Sequence, residues 1–189
     1  MVSSEFFARP ALIVAKELIG KLFVYETAAG RCSGVIVETE AYAADDPASH
    51  SFRGPTQRNA VMFDKPGLLY VYQTYGIHYC CNIVTGSEHM GEAVLIRALQ
   101  PVEGLELMRE RRGETVKETK LCSGPANLVK ALGLSLADNG RSACSTPLHV
   151  EDLGTLPEQV IQTTRIGISR AMDLPWRFYD PKSPAVSKR

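Results

Sequence analysis

The stretch at residues 65–82, KPGLLYVYQTYGIHYCCN, constrains this chain more than any other. Two runs rich in aromatic and β-branched residues, 68–73 and 77–84, flank Thr74, Tyr75 and Gly76. That spacing predicts a β-hairpin. The apex of a hairpin sees water and often needs φ > 0, so it usually carries small polar residues. Gly76 supplies that freedom here, but the residue beside it is Tyr75. A large aromatic at the tip of a stiff hairpin has nothing of its own chain to pack on. It is built to enter something else.

The rest of the chain supplies a sheet for this hairpin to join. Pro10 opens a helical pattern through Leu12, Ile13, Ala15, Leu18 and Ile19, and Gly20 stops it. Strands are predicted at 21–27 and 33–42, joined by a turn at 28–31. In the second strand, period-2 alternation puts Val35, Val37, Thr39 and Ala41 on one face. Ile36, Glu38, Glu40 and Tyr42 fall on the other, and a face carrying two glutamates reads as wet. Residues 43–65 are polar without a period. Asp46 and Pro47 open a short turn there, and a loop this long in a compact domain is often functional. A strand at 93–99 carries Arg97 on the face of Leu95 and Leu99, where an arginine needs a partner or a cavity. Helices are expected at 102–112 and at 124–132, the second capped by Ser123 and ended by Gly133. A turn at 138–140, strands at 148–153 and 163–168, and an extended tail from Pro175 complete the reading. Strands outnumber helices and follow one another directly. The expected fold is α+β: one compact domain over residues 1–189, with a curved, mostly antiparallel sheet, peripheral helices and a protruding hairpin.

Bulk properties narrow the class. A chain of 189 residues with 44% hydrophobic and 22% charged residues suits one domain with a real core. No run of about 18 apolar residues could span a membrane as a helix, and the opening MVSSEFFARP lacks the pattern of a signal peptide. Five cysteines without a CxxC support neither a zinc site nor a disulfide framework. They read as reduced thiols in the cytoplasm. A formal net charge of zero argues mildly against a nucleic-acid partner. Distribution can override it: Arg53, Arg58 and Lys65 bracket the hairpin, and further basic clusters lie at 109–112 and 182–189. Any one such cluster is more often a solvated face than a binding stripe.

The residues that could carry chemistry are Glu38, Glu40, His50, Tyr72, Tyr75, Asn82 and Arg97. No GxGxxG or GxxxxGK[ST] is present, which argues against a nucleotide cofactor. No Ser or Cys sits in a nucleophile motif, and His50, His78, His89 and His149 lack metal-ligand spacing. Taken singly, either glutamate reads as a solvated strand residue, His50 as structural, and Tyr70, Tyr72 and Tyr79 as ordinary strand aromatics. Asn82 is unusual in a strand. Together they are more specific. A carboxylate can polarise water, aromatics can sandwich a flat ring, an Asn can test a ring edge, and a tip aromatic can replace something withdrawn from a stack. An enzyme that works on a nucleobase needs those parts, because the base must leave the duplex.

Ordered blocks along nearly the whole chain make the same point. They are VETEAY at 37–42, SHS at 49–51, QRN at 57–59, MF at 62–63, KPG at 65–67, LYVYQTYGIHYCCN at 69–82, VLIRA at 94–98, VEG at 102–104, LCSGPANL at 121–128 and WRFY at 176–179. In these the chain resembles the alkyladenine (3-methyladenine) DNA glycosylases of base-excision repair. The resemblance implies that Glu40 deprotonates the attacking water and that Arg97 lies close to it. It implies that Tyr42, His50 and Tyr72 wall the pocket of the flipped base, and that Asn82 disfavours guanine by clashing with its 2-amino group. It makes Tyr75 the residue that fills the gap left in the DNA. Arg58 and Lys65 are expected to touch phosphate, and Glu38 is given no catalytic role. The segment between Tyr42 and His50 is one residue shorter than in vertebrate members, so His50 and the substrate range are where a difference is expected.

The implied activity is that of a monofunctional DNA glycosylase acting on double-stranded DNA with damaged purines, as a monomer in the bacterial cytoplasm, with no metal and no cofactor. A non-catalytic lesion-binding or RNA-binding module of the same fold is the main rival. A generic α+β hydrolase is a further one. The intact Glu40 favours the enzyme.

Overall fold

A computed structural model describes residues 1–74, 76–155 and 157–188. Tyr75, at the hairpin tip, lies outside the described residues. Nine strands form one sheet: β1 Leu22–Thr27, β2 Gly30–Tyr42, β3 Leu69–Thr74, β4 His78–Thr85, β5 Glu92–Glu103, β6 Cys144–Ser145, β7 Leu148–Glu151, β8 Ile161–Thr163 and β9 Arg177–Tyr179. Every pairing is antiparallel, in the order β3-β4-β5-β2-β1-β7-β6, with β9 added to β2 and β8 to β9. The sheet curls into a half-barrel, as an α+β reading expects. Among the described residues, five short α-helices flank it: α1 Ser4–Phe7, α2 Ala11–Glu17, α3 Leu105–Arg112, α4 Glu118–Leu121 and α5 Pro125–Leu132.

Period-2 alternation decides what each face does. Leu69 and Val71 of β3, Cys81 and Ile83 of β4, Val94 and Ile96 of β5, and Ala41 of β2 all enter the main core. Against them pack α2, which offers Ala11, Val14 and Ala15, and α5, which offers Leu128, Val129, Ala131 and Leu132. Each fully buried Leu or Ile contributes about 1.5–3 kcal/mol by leaving water, so a one-residue slip of any central strand would be costly. The intervening residues, Tyr70, Tyr72, Cys80, Asn82, Leu95 and Arg97, therefore share the opposite face, and all of them line a cavity.

Strand β2 is the hub. Along one edge it pairs with β5 over nearly its whole length. Along the other, residues 30–35 pair with β1 and residues 38–40 with β9. Where these two regions meet, the β2–β5 register shifts twice, between Ile36 and Glu38 and between Glu38 and Thr39. Val37 on β2 and Arg97 on β5 have no cross-strand partner in the ladder, and the original register resumes at Thr39 and Ile96. Such irregularities re-aim side chains and concentrate beside functional sites. The simple alternation expected for 33–42 fails here. Ile36 lies in the main core with Ala41, and Thr39 donates to the Ala15 carbonyl of α2 at 2.8 Å. Val37 instead packs with Ala98, Ala185 and Val186 in a separate cluster. On β5, Leu99 joins the main core rather than sharing a face with Arg97.

Other boundaries move for local reasons. Val102 and Glu103 continue β5 instead of opening a helix; α3 starts only after Gly104, which sits at φ +77°. A Cβ there would fall 2.6 Å from both the Arg31 carbonyl oxygen and the Cys32 sulfur, so the turn requires glycine. Gly124, not Ser123, occupies the cap position of α5, while Ser123 bridges Ala98. The strand expected at 163–168 ends at Thr163. The tail is more than a surface strap. Its residues 177–179 add a strand, and Ala185 and Val186 are buried.

Candidate active site

The cavity on the second face of the sheet has a volume of about 1010 Å³. Strands supply Tyr42, Tyr70, Tyr72, Cys80, Asn82, Leu95 and Arg97 to its wall. The 47–50 turn supplies His50, and the loop after β8 supplies residues 166–170. Tyr70 and Tyr72 lie two apart on β3, and their rings stack with centroids 5.2 Å apart and planes 24° apart. His50 meets Tyr72 edge-on at 4.6 Å, and its Nδ1 lies 3.0 Å from the Tyr70 hydroxyl. Asn82 donates through Nδ2 to the Tyr70 carbonyl at 3.3 Å.

Burial governs protonation here. It pushes the Tyr70 phenol up to about 12. It also raises Tyr42, reinforced by the Glu40 carboxylate, and Tyr72, reinforced by Cys80. The Cys80 thiol is raised too, chiefly by burial. His50 moves down, first through desolvation and then through the charge of Arg58. Near pH 7 the wall is thus built of neutral rings.

Glu40 stands directly behind this wall, fully buried. Its Oε2 accepts from the Tyr42 hydroxyl at 2.8 Å. Its Oε1 accepts from the Ile166 N–H at 2.8 Å and faces Arg97 Nη1 at 3.1 Å. Two hydrogen bonds and one ion pair leave acceptor capacity on this carboxylate. Glu38 is also fully buried, which corrects the expectation of a solvated strand residue. Its Oε1 accepts from Arg97 Nε at 3.2 Å and Arg177 Nη1 at 2.9 Å, and its Oε2 from the Ser187 N–H at 2.7 Å. Burial works against the charge on Arg97, but Glu40 and Glu38 outweigh it and hold the guanidinium above its ordinary value.

Of the sequence candidates, Tyr42, His50, Tyr72, Asn82 and Arg97 line one cavity, and Glu40 touches two of them. Arg58 lies at the rim, donates to the Gln73 carbonyl at 2.9 Å and sits 5.6 Å from the Tyr72 ring. Lys65 is exposed and is not part of the cavity wall. Tyr75 cannot be placed, as it falls outside the described residues.

Sequence reasoning passed over Tyr70, which its position two residues before Tyr72 could have revealed. It also passed over a buried pair. Arg165 binds both carboxylate oxygens of Asp46, donates to the Ala41 carbonyl at 3.0 Å, and places its guanidinium 4.7 Å from the Tyr42 ring and 5.1 Å from that of Trp176. No spacing in the sequence links residues 119 apart.

The chain is similar to known proteins along nearly its whole length. The profile of the methylpurine-DNA glycosylase (MPG) family matches residues 5–184. A protein of Methanoculleus marisnigri is 50% identical, covering 98% of each chain. One of Rhodopseudomonas palustris is 49% identical over 100% of this chain and 88% of its own. One of Carboxydothermus hydrogenoformans is 46% identical over the full length of both. All three carry the provisional name 3-methyladenine DNA glycosylase. A match over nearly the whole chain, at close to half identity, leaves one conclusion: this chain belongs to the methylpurine-DNA glycosylase family.

Proposed function

We propose that the protein excises alkylated purines from duplex DNA, 3-methyladenine and 7-methylguanine first, by hydrolysing the N-glycosidic bond of a flipped nucleotide and leaving an abasic site. The observation that carries this reading is the convergence of Tyr42, His50, Tyr72 and Asn82 on one cavity, with the Glu40 carboxylate behind Tyr42 and Arg97.

Alkylation at N3 or N7 makes the purine cationic, which weakens its bond to the sugar. The neutral, electron-rich rings of Tyr42 and Tyr72 hold such a cation through attraction worth roughly 0.5–2 kcal/mol. Asn82 tests the ring edge. Glu40 uses its remaining acceptor position to take a proton from water, and its charge stabilises the positive sugar that develops as the base departs. Arg97 holds Glu40 in place. Tyr75 fills the space that the flipped nucleotide vacates, and Arg58 and Lys65 meet phosphates. Neutral lesions such as hypoxanthine and ethenoadenine come second, because they need a proton on the leaving base and His50 is held toward its neutral form. The chemistry calls on no cofactor and no lysine nucleophile, and one protomer suffices. The protein would act on the nucleoid in the cytoplasm.

Single-turnover release of 3-methyladenine from a lesion duplex tests this. Glu40→Gln is expected to lose at least about 100-fold in rate, the scale of a removed general base. Equal rates for variant and wild type would remove Glu40 from the mechanism. Absence of release by either would turn the reading to a lesion-binding protein.

A further inference from the structure

The proposed chemistry uses Glu40 and Arg97 but leaves a second buried carboxylate, Glu38, unexplained. Glu38, Glu40, Arg97 and Arg177 form one cluster in which no side chain is more than 7% exposed. Two carboxylates face two guanidiniums, so their formal charges balance. Arg97 bridges the carboxylates, giving Nε to Glu38 and Nη1 to Glu40. Its unpaired position in the ladder, where β2 and β5 lose register, is what lets one side chain reach both. Arg177 closes the far side. It donates to Glu38, to the Thr164 carbonyl at 2.9 Å and to the Lys188 carbonyl at 2.9 Å. The tail completes the enclosure through the Ser187 N–H on Glu38 and the buried Ala185 and Val186.

Burying a carboxylate is costly unless it is paired and hydrogen-bonded. Glu38 has three donors, which compensate its burial. Of its partners Arg97, Arg177 and the Ser187 N–H, only Arg97 lines the cavity. Its effect must pass through Arg97. If Arg97 faced Glu40 alone, its whole charge would act on that carboxylate and weaken it as a base. The negative charge of Glu38 beside Arg97 offsets part of that field, while its hydrogen bond keeps the guanidinium in place.

We infer that Glu38 is a positioning residue for the reaction: with Arg177 and the C-terminal tail it holds and charge-balances Arg97, so that Glu40 is oriented and stays basic. This rests on the reading of Glu40 as the base. The groups facing Glu40 are Arg97 from β5, Tyr42 from its own strand, the Ile166 N–H from the loop after β8, and Tyr72 and Cys80 from β3 and β4. Those facing Glu38 are Arg97, Arg177 and the Ser187 N–H. Tyr42, Tyr72 and Cys80 keep their protons near neutrality, so the balance among Glu38, Glu40 and the two arginines sets the pH response.

The test is the acid limb of the single-turnover pH–rate profile on a 7-methylguanine duplex, where the rate falls as Glu40 takes up a proton. Glu38→Gln leaves the cluster with one excess positive charge and is expected to move that limb to lower pH by about one unit, with a rate at least tenfold below wild type. Arg177→Gln leaves one excess negative charge and is expected to move the limb the opposite way. The double variant restores neutrality, and its limb is expected to return toward the wild-type position. Titration of the Glu40 carboxyl by ¹³C NMR reads the same opposed shifts in any folded variant too slow to assay. A purely structural Glu38 would lower rates without opposed shifts, and that result overturns the inference. Should Glu38→Gln fail to fold, the direction of the Arg177→Gln shift decides. Inactive Glu40→Gln beside unmoved limbs would sink this inference alone; active Glu40→Gln would sink the reading beneath it.

Discussion

At the scale of single residues, the site is a problem in keeping rings neutral beside a buried carboxylate. His50 shows it most directly. Desolvation and the nearby Arg58 lower its pKa, so in the folded protein it gains its proton below the ordinary value of about 6.5. The unfolded chain protonates first as pH falls, so the contribution of His50 to stability is present above about pH 6.5 and is lost as pH drops toward the folded value. Imidazole NMR should show His50 titrating below the ordinary value, and Arg58→Ala should raise it. A titration unmoved by Arg58→Ala would remove Arg58 as a cause. Tyr70 offers a second check, since its hydroxyl lies 3.0 Å from His50 Nδ1 and holds the ring's orientation. Tyr70→Phe should slow base release several-fold while shifting unfolding by about 1 kcal/mol, the net worth of one hydrogen bond. A rate unchanged from wild type would leave the Tyr70–His50 contact without a role in the chemistry.

At the scale of elements, the sheet's alternation builds the cavity wall, and the breaks in it aim the buried Glu38–Glu40–Arg97 cluster. Strands β3, β4 and β5 give apolar residues to the core and the intervening ones to the cavity. A reader of the sequence can follow that pattern through Tyr72 and Asn82. The same pattern misleads at Val37 and Arg97, where the ladder skips. Loops are tied to this frame by ion pairs that no periodicity announces. Arg165 and Asp46, both buried, join the 43–50 loop to the loop after β8 and back the Tyr42 ring. Asp46→Asn should therefore cost about 3–5 kcal/mol, the penalty for stranding a buried charge, measured by urea unfolding. A loss below 1 kcal/mol would mean that Arg165 finds another partner or water.

At the scale of the whole molecule, zero net charge conceals a sorted distribution. The charged side chains lining the main cavity are Arg58, Arg97 and Arg170, with no carboxylate among the described lining residues. A side cavity of about 280 Å³ beyond His50 adds Arg53 to Arg58 and Arg170. This field suits a polyanion, so binding to lesion duplex should weaken steeply with salt. Arg58→Ala should reduce the slope of log affinity against log salt by about 1, the signature of one lost phosphate contact; an unchanged slope would place Arg58 off the DNA backbone. Composition could not foresee the sorting, because net charge carries no positions. By itself the sequence determined the hairpin and the antiparallel α+β class, since period-2 patterning and turn chemistry are local properties of the chain; the wall residues Tyr42, His50 and Tyr72 came only with the family resemblance. It misjudged Glu38 and both glutamates' surroundings, because whether a strand face is wet depends on what covers it. The cover is Ile166, Arg177 and Ser187, more than 120 residues away along the chain. Only the tertiary fold brings them to Glu38 and Glu40, and only burial turns those two carboxylates and Arg97 into one electrostatic unit.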